Sequence, residues 1–180
     1  TYLFEPRSGE GLLVKDPSPG GKGIVSEGTG YGMLFAVQMD DQQTFYELVK
    51  GAENYLEIKD PWDPTYGLCA FKANDQGEII DRYSAIDADQ DMTQALIQAQ
   101  GKVDRGEWRI PLNPQSGKPD PKYYGNKAQT KLDLLWDKGV AKIDYNRDGI
   151  IDRYVLEHTA GESGFDNEGD VTFNPSYVAP

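Results

Sequence analysis

The chain has 180 residues, with 30 Asp and Glu against 18 Lys and Arg, giving a formal net charge of -12. That length suits one domain with a substantial core. The charge repels phosphate backbones and anionic bilayers, so it argues against nucleic acid and membrane and favours a neutral or cationic partner. Cys69 is the single cysteine, which removes an internal disulfide and a cysteine-based zinc cluster and leaves a small core residue as its ordinary role. No run approaches the roughly 18 consecutive apolar residues of a membrane span, and no signal-peptide pattern begins at Thr1. The expectation is a soluble chain, with earlier processing left open.

Taken in order, residues 1–23 carry Pro6, Pro17, Pro19 and five glycines and read as extended or looped chain. The stretch VSEGTGYGM (25–33) follows, and the apolar run 33–37 begins a candidate helix. Phe45, Leu48, Val49, Ala52, Tyr55 and Leu56 fall at offsets 0, 3, 4, 7, 10 and 11, which predicts a helix over 45–56. Met92, Ala95, Leu96 and Ala99 repeat the pattern ahead of Gly101, predicting a helix over 91–100 with a glycine stop. Ala128, Leu132, Leu135 and Trp136 mark a third over about 126–138. Long loops are expected at 60–67, 106–124 and after Gly161, and functional residues concentrate on such loops.

Acids cluster at three places. Glu27 lies between Ser26 and Gly28, and the simple reading is that Ser26 caps a helix whose positive end Glu27 favours. Gly28, Gly30 and Gly32 weigh against simplicity, because each costs a helix about 1 kcal/mol relative to alanine. Such costs ask for a substrate or a neighbouring helix that approaches the backbone closely. Asp87, Asp89 and Asp91 alternate ahead of the second helix, where a cap needs only one of them. Three neighbouring carboxylates repel, which suggests a metal, a cationic substrate centre or a transition state that develops positive charge.

The third cluster, DYNRDGIID (144–152), fits D-x-N-x-D-G-x-x-D. It places ligand oxygens on Asp144, Asn146, Asp148, the Ile150 main chain and Asp152, with a glycine at the sharp turn. All are hard oxygen donors, so calcium is the expected ion, although Val155 stands where an EF-hand has its bidentate glutamate. Glu157 is within reach of the loop. An Asx-rich surface turn is the alternative. His158 is the single histidine, and a structural role is expected for it.

SEGTGYGM before an apolar helix, AIDADQDMTQALIQA some sixty residues later and NPSYVAP at 174–180 together resemble glycoside hydrolase family 8, the bacterial endoglucanases, xylanases, chitosanases and lichenases. The motifs occur in the family's order. Ile86 and Thr93 depart from it, Val103 stands where a tryptophan is usual with Trp108 nearby, and GLCAFK (67–72) carries Phe71 in place of a tryptophan. The resemblance implies an all-α fold, part of an (α/α)6 toroid with long loops, over residues 1–180 as a single, incomplete domain with the calcium-loop-like insertion at 144–152. It covers about the N-terminal half to two-thirds of the usual catalytic domain.

By the same resemblance, the reaction is inverting hydrolysis of internal β-1,4 glycosidic bonds. A protonated carboxylic acid and a carboxylate base stand about 6.5 to 9.5 Å apart on opposite faces of the sugar. Glu27 matches the general acid, and Asp87 matches the residue that holds the distorted sugar and supports its positive charge. Asp89 and Asp91 are then left as cap and neighbour. Tyr31, Phe71, Trp108 and Tyr124 are candidate substrate-binding aromatics, Trp108 and Tyr124 equally readable as packing residues. The family's usual base follows the NPSY motif on a segment that nothing here matches; Asp120, Asp144 or Glu162 on an inserted loop is the alternative. The implied partners are a neutral or cationic polysaccharide and the missing C-terminal part of the same domain, in a secreted or periplasmic setting. The competing readings are a noncatalytic carbohydrate-binding relative and a calcium-stabilised structural module.

Overall fold

A computed structural model of the chain describes residues 3–16, 23–156 and 159–160. Glu157, His158, Glu162 and the NPSYVAP motif lie outside these residues. Four α-helices carry the core: α1 (Ser26–Gln38), α2 (Gln42–Gly51), α3 (Ile86–Asp104) and α4 (Tyr123–Lys138). Short antiparallel strands lie between and beside them. These are β1 (Leu3–Phe4) with β2 (Leu13–Val14), β3 (Ile24–Val25) with β4 (Lys72–Ala73) and β5 (Ile79–Asp81), β6 (Ser84–Ala85) with β9 (Thr159–Ala160), and β7 (Val140–Ile143) with β8 (Arg153–Leu156). None of the described helices is long and apolar enough to cross a membrane.

α1 forms in spite of its glycines because of what lies against them. A Cβ on Gly30 would meet the Ala88 carbonyl oxygen and the Asp91 Cβ at 3.2 Å each, and one on Gly32 would meet Val14 Cγ2 at 2.7 Å. The missing side chains let α3 and β2 approach closely, and burial of Met33, Ala36 and Val37 offsets the poor propensity.

The predicted helix over 45–56 is two structures in series. Asp41 caps α2 by accepting from the Thr44 N–H at 3.0 Å. After Gly51 the chain widens into a π-helical turn, Ala52–Leu56, closed by Glu57 N–H to the Ala52 carbonyl at 2.9 Å. Tyr55 and Leu56 are both buried by that change of register.

α3 is longer than predicted at both ends. Gly101 does not stop it, because Val103 extends the buried stripe of Met92, Leu96 and Ala99 by one further turn; the helix ends where Gly106 takes φ 74°. α4 starts three residues early, since Tyr123 and Tyr124 are themselves core.

Two expected sugar-binding aromatics are corrected here. Trp108 is 4% exposed and Tyr124 0% exposed. Their rings pack with Phe45 at centroid distances of 5.4 and 5.2 Å, and the Trp108 indole N–H donates to Asp40 Oδ1 at 2.6 Å. The chain after α3 folds back to lay Trp108 over Phe45. Both rings belong to the hydrophobic core and offer no face to a sugar in this arrangement.

Candidate active site

The site is built from three segments distant in sequence. Pairing of Val25 with Lys72 places the start of α1 against GLCAFK. The Ser26 N–H then donates to the Phe71 carbonyl at 3.0 Å, and the Phe71 N–H donates to the Tyr83 carbonyl at 2.6 Å. Tyr83 leads through β6 directly into α3. Phe71 is thereby held between the N-termini of α1 and α3, which lie side by side.

Ser26 is not the cap that the sequence suggested. Its hydroxyl is buried and makes no capping bond, and Val25 occupies the N-cap position, with the Phe71 carbonyl satisfying the Ser26 amide. Glu27 sits in the first turn of α1, and Asp87 in the first turn of α3. Gly30, one turn past Glu27, touches Ala88 and Asp91, so both carboxylates lie at the same end of one helix pair.

Their electrostatics follow from that placement. Burial, then the neighbouring Asp87 charge, raises the Glu27 carboxyl above its usual range. Asp87 is also raised by burial, against the lowering effect of the Ala88 N–H at 2.9 Å and its own backbone. Asp91 is raised by burial and then by Asp87. Tyr31, one turn along from Glu27, is raised by burial and then by Asp91, Asp87 and Glu27. Four acidic groups therefore share one half-buried patch, and no cation is among the causes of their shifts. Carboxyls raised in this way keep a proton more readily than exposed ones do.

Asp89 does something else. It is fully buried on the far side of α3, so the expectation that it belongs to the cap is corrected. Its Oδ2 accepts from the Cys69 N–H at 3.0 Å and the Ser84 hydroxyl at 2.9 Å, and its Oδ1 faces the Lys131 ammonium at 2.7 Å. Lys131 is the residue that sequence reasoning missed, since no local signal ties it to an aspartate 42 positions earlier.

Of the four aromatics expected at the substrate, Tyr31 (53% exposed) and the half-buried Phe71 stand at the acidic end of the helix pair. Trp108 and Tyr124 do not. Among the alternative bases, Asp120 is taken up locally, its Oδ1 accepting from the Lys122 N–H at 2.9 Å and its Oδ2 from Asn113 Nδ2 at 3.4 Å. Asp144 belongs to the loop between β7 and β8.

In that loop Asp144 accepts from the Asp148 and Gly149 N–H groups at 3.3 and 2.8 Å, and Asp148 accepts from the Ile150 N–H at 2.8 Å. Asn146 Oδ1 accepts from the Asp148 N–H at 3.1 Å, and Asp152 from the Tyr145 N–H at 2.8 Å. Gly149 takes φ 87°, the left-handed turn that its position demands. Among the described residues no group of three or more His, Cys, Asp or Glu side chains is gathered tightly enough to hold a metal. The loop offers carboxylate and amide oxygens and the Ile150 carbonyl, all of them hard donors.

Comparison with known proteins gives one consistent result. The family model described as "Glycosyl hydrolases family 8" matches residues 7–110. The chain is 35% identical over 176 residues to an endoglucanase of Escherichia coli O157:H7, covering 96% of this chain and 40% of that protein. It is 35% identical over 159 residues to endoglucanase 2 of Ruminiclostridium josui, covering 87% of this chain and 27% of the relative. The chain thus spans well under half the length of these relatives. Among solved structures it resembles an endoglucanase from Komagataeibacter sucrofermentans, with TM-score 0.61 and 23% identity over 88% of this chain and 40% of the other. It also resembles a xylanase from Teredinibacter turnerae in complex with xylohexaose, with TM-score 0.59 and 22% identity over 82% of this chain and 35% of the other. The shared fold is the (α/α)6 toroid, of which these helices form part.

Proposed function

Because the chain belongs to glycosyl hydrolases family 8, we propose that the whole protein hydrolyses internal β-1,4 glycosidic bonds of a neutral or cationic polysaccharide with inversion. Glu27 donates its proton to the leaving glycosidic oxygen, and a carboxylate supplied by the remainder of the domain takes a proton from the water that attacks the opposite face of the ring. Asp87 holds the sugar at the cleavage point and offsets the positive charge that develops there. Tyr31 and Phe71 flank the ring.

One observation carries this reading: the half-buried Glu27 carboxyl, raised by burial and by Asp87, beside an aspartate on the facing helix. A raised carboxyl is protonated where an ordinary one is not, which is what a general acid near neutral pH needs. The names of the relatives, endoglucanases and xylanases, support the substrate class.

The test is Glu27→Gln in the longest natural chain that contains these residues. Hydrolysis falls by roughly three orders of magnitude or more, while binding of cellohexaose or xylohexaose changes little. Retained hydrolysis sinks the reading. Oligosaccharide binding by the unaltered protein with no reducing sugar released favours the noncatalytic relative instead.

We further propose that the loop over residues 144–152 binds calcium through Asp144, Asn146, Asp148, the Ile150 carbonyl and Asp152, bracing the β7–β8 hairpin. Support comes from the donor set and its spacing in the sequence. A loop of this kind suits the calcium-rich surroundings of a secreted or periplasmic protein.

A further inference from the structure

The Glu27–Asp87 patch is assembled by a segment, Gly67–Phe71, that contributes no acid of its own. What fixes that segment lies behind the site. The Lys131 side chain is 11% exposed, and its Nζ reaches Asp89 Oδ1 at 2.7 Å, the Gly67 carbonyl at 3.3 Å and Cys69 Sγ at 3.5 Å. Asp89 in turn receives the Cys69 N–H and the Ser84 hydroxyl. One cation therefore ties α4 to both ends of the segment 67–69 and, through Asp89, to the entrance of α3. Two residues further on, the Phe71 carbonyl receives the first amide of α1, next to Glu27.

We propose that Lys131 is a positioning residue for the candidate active site, its ammonium neutralising the buried Asp89 carboxylate so that Asp89, Gly67 and Cys69 together set the height of the Phe71 carbonyl and with it the Glu27–Asp87 spacing. This rests on the reading of Glu27 and Asp87 as the reacting pair. Lys131 touches neither of them in the contacts it makes, so it acts through the segment.

The arrangement is charge-balanced. Burial pulls the Lys131 ammonium down, and Asp89, with a smaller contribution from Glu57, more than reverses this and raises it, so Lys131 stays charged. Removing the ammonium leaves a buried carboxylate whose remaining donors are one amide and one hydroxyl, which Asp89 meets by drawing water or by releasing the segment. A displacement of about 1 Å at a reacting pair costs on the order of a hundredfold in rate.

The experiment is Lys131→Met in the longest natural chain that contains these residues, assayed on cellulose and xylan oligosaccharides beside Glu27→Gln. Binding-competent molecules are counted by calorimetric titration with cellohexaose or xylohexaose in the Glu27→Gln background. The expected result is kcat per binding-competent molecule lower by on the order of a hundredfold, with KM and binding stoichiometry nearly unchanged. A merely structural lysine would lower the stoichiometry and leave kcat per competent molecule intact, and that outcome overturns the proposal. Where Lys131→Met does not fold, Ser84→Ala decides, since it removes a single donor to Asp89: kcat several-fold lower per competent molecule supports the proposal, and unaltered kcat overturns it. Hydrolysis that survives Glu27→Gln removes the underlying reading, whereas an inactive Glu27→Gln beside a fully active Lys131→Met removes this proposal alone.

Discussion

The α1–α3 junction and the β7–β8 hairpin both gather acidic side chains, and they treat them in opposite ways. At the junction, Glu27, Asp87 and Asp91 are half-buried and raised chiefly by burial, with the Asp87 charge raising the other two further and no cation among the causes. In the hairpin, Asp148 and Asp152 are exposed and Asp144 is half-buried, and each accepts backbone N–H groups. The first arrangement raises the proton affinity of its carboxyls, at a cost in stability once they ionise. The second gives each carboxylate its own hydrogen-bond donors. Between these extremes stands Asp89, buried completely and answered by a dedicated lysine.

The sharpest way to break this comparison is to delete a carboxylate from each environment. Asp89→Ala strips the buried Lys131 ammonium of its hydrogen-bonded carboxylate, and should destabilise the protein by about 3–5 kcal/mol. Asp148→Ala without calcium should cost no more than about 0.5–1 kcal/mol, as an exposed turn residue. Urea titrations of the two variants read the difference directly. Equal losses would mean that burial does not separate the two regions.

A smaller effect sharpens the hairpin's half of the contrast. Calcium at a hundredfold excess over its dissociation constant should stabilise the protein by about 2.7 kcal/mol. Chelator should reverse the gain, and Asp148→Ala should abolish it. Thermal unfolding with and without calcium checks this, and an unmoved midpoint in the unaltered protein would leave the loop an ordinary Asx turn.

What the sequence disclosed divides along the same line. The apolar offsets of Phe45, Leu48 and Val49 and of Met92, Leu96 and Ala99 reported helices correctly, because burial on one face is a local, periodic demand. They did not report the π-helical turn at Ala52–Leu56, which depends on what packs outside the helix. Gly101 read as a stop by propensity, yet the burial of Val103 carried α3 past it. Glu27 and Asp87 stood out through their motifs, and what the structure adds is their shared patch, which follows from Gly30 lying against Ala88. The fates of Asp89, Trp108 and Tyr124 were not legible, since each is decided by a distant partner: Lys131 for the first, Phe45 for the two rings.

The smallest expected effect tests the cost of the raised proton affinity at Glu27. The folded-state pKa of Glu27 lies above its ordinary value, so the folded protein holds that proton more tightly than the unfolded chain does. The resulting stability is fully present below the unfolded glutamate pKa of about 4.3 and is lost as pH rises through the folded value. Above that value an ionised Glu27 stands half-buried beside Asp87 and opposes folding. Glu27→Gln removes the charge while keeping the shape, so the variant should melt above the parent at pH 7, by less than about 1 kcal/mol given how much of the group water still screens. The gap should close as pH falls towards 4, where the parent's carboxyl is protonated as well. A variant that melts at or below the parent's temperature at pH 7 would mean that Glu27 is held no differently from the exposed carboxylates of the hairpin, and the contrast between the two regions would rest on Asp87 and Asp91 alone.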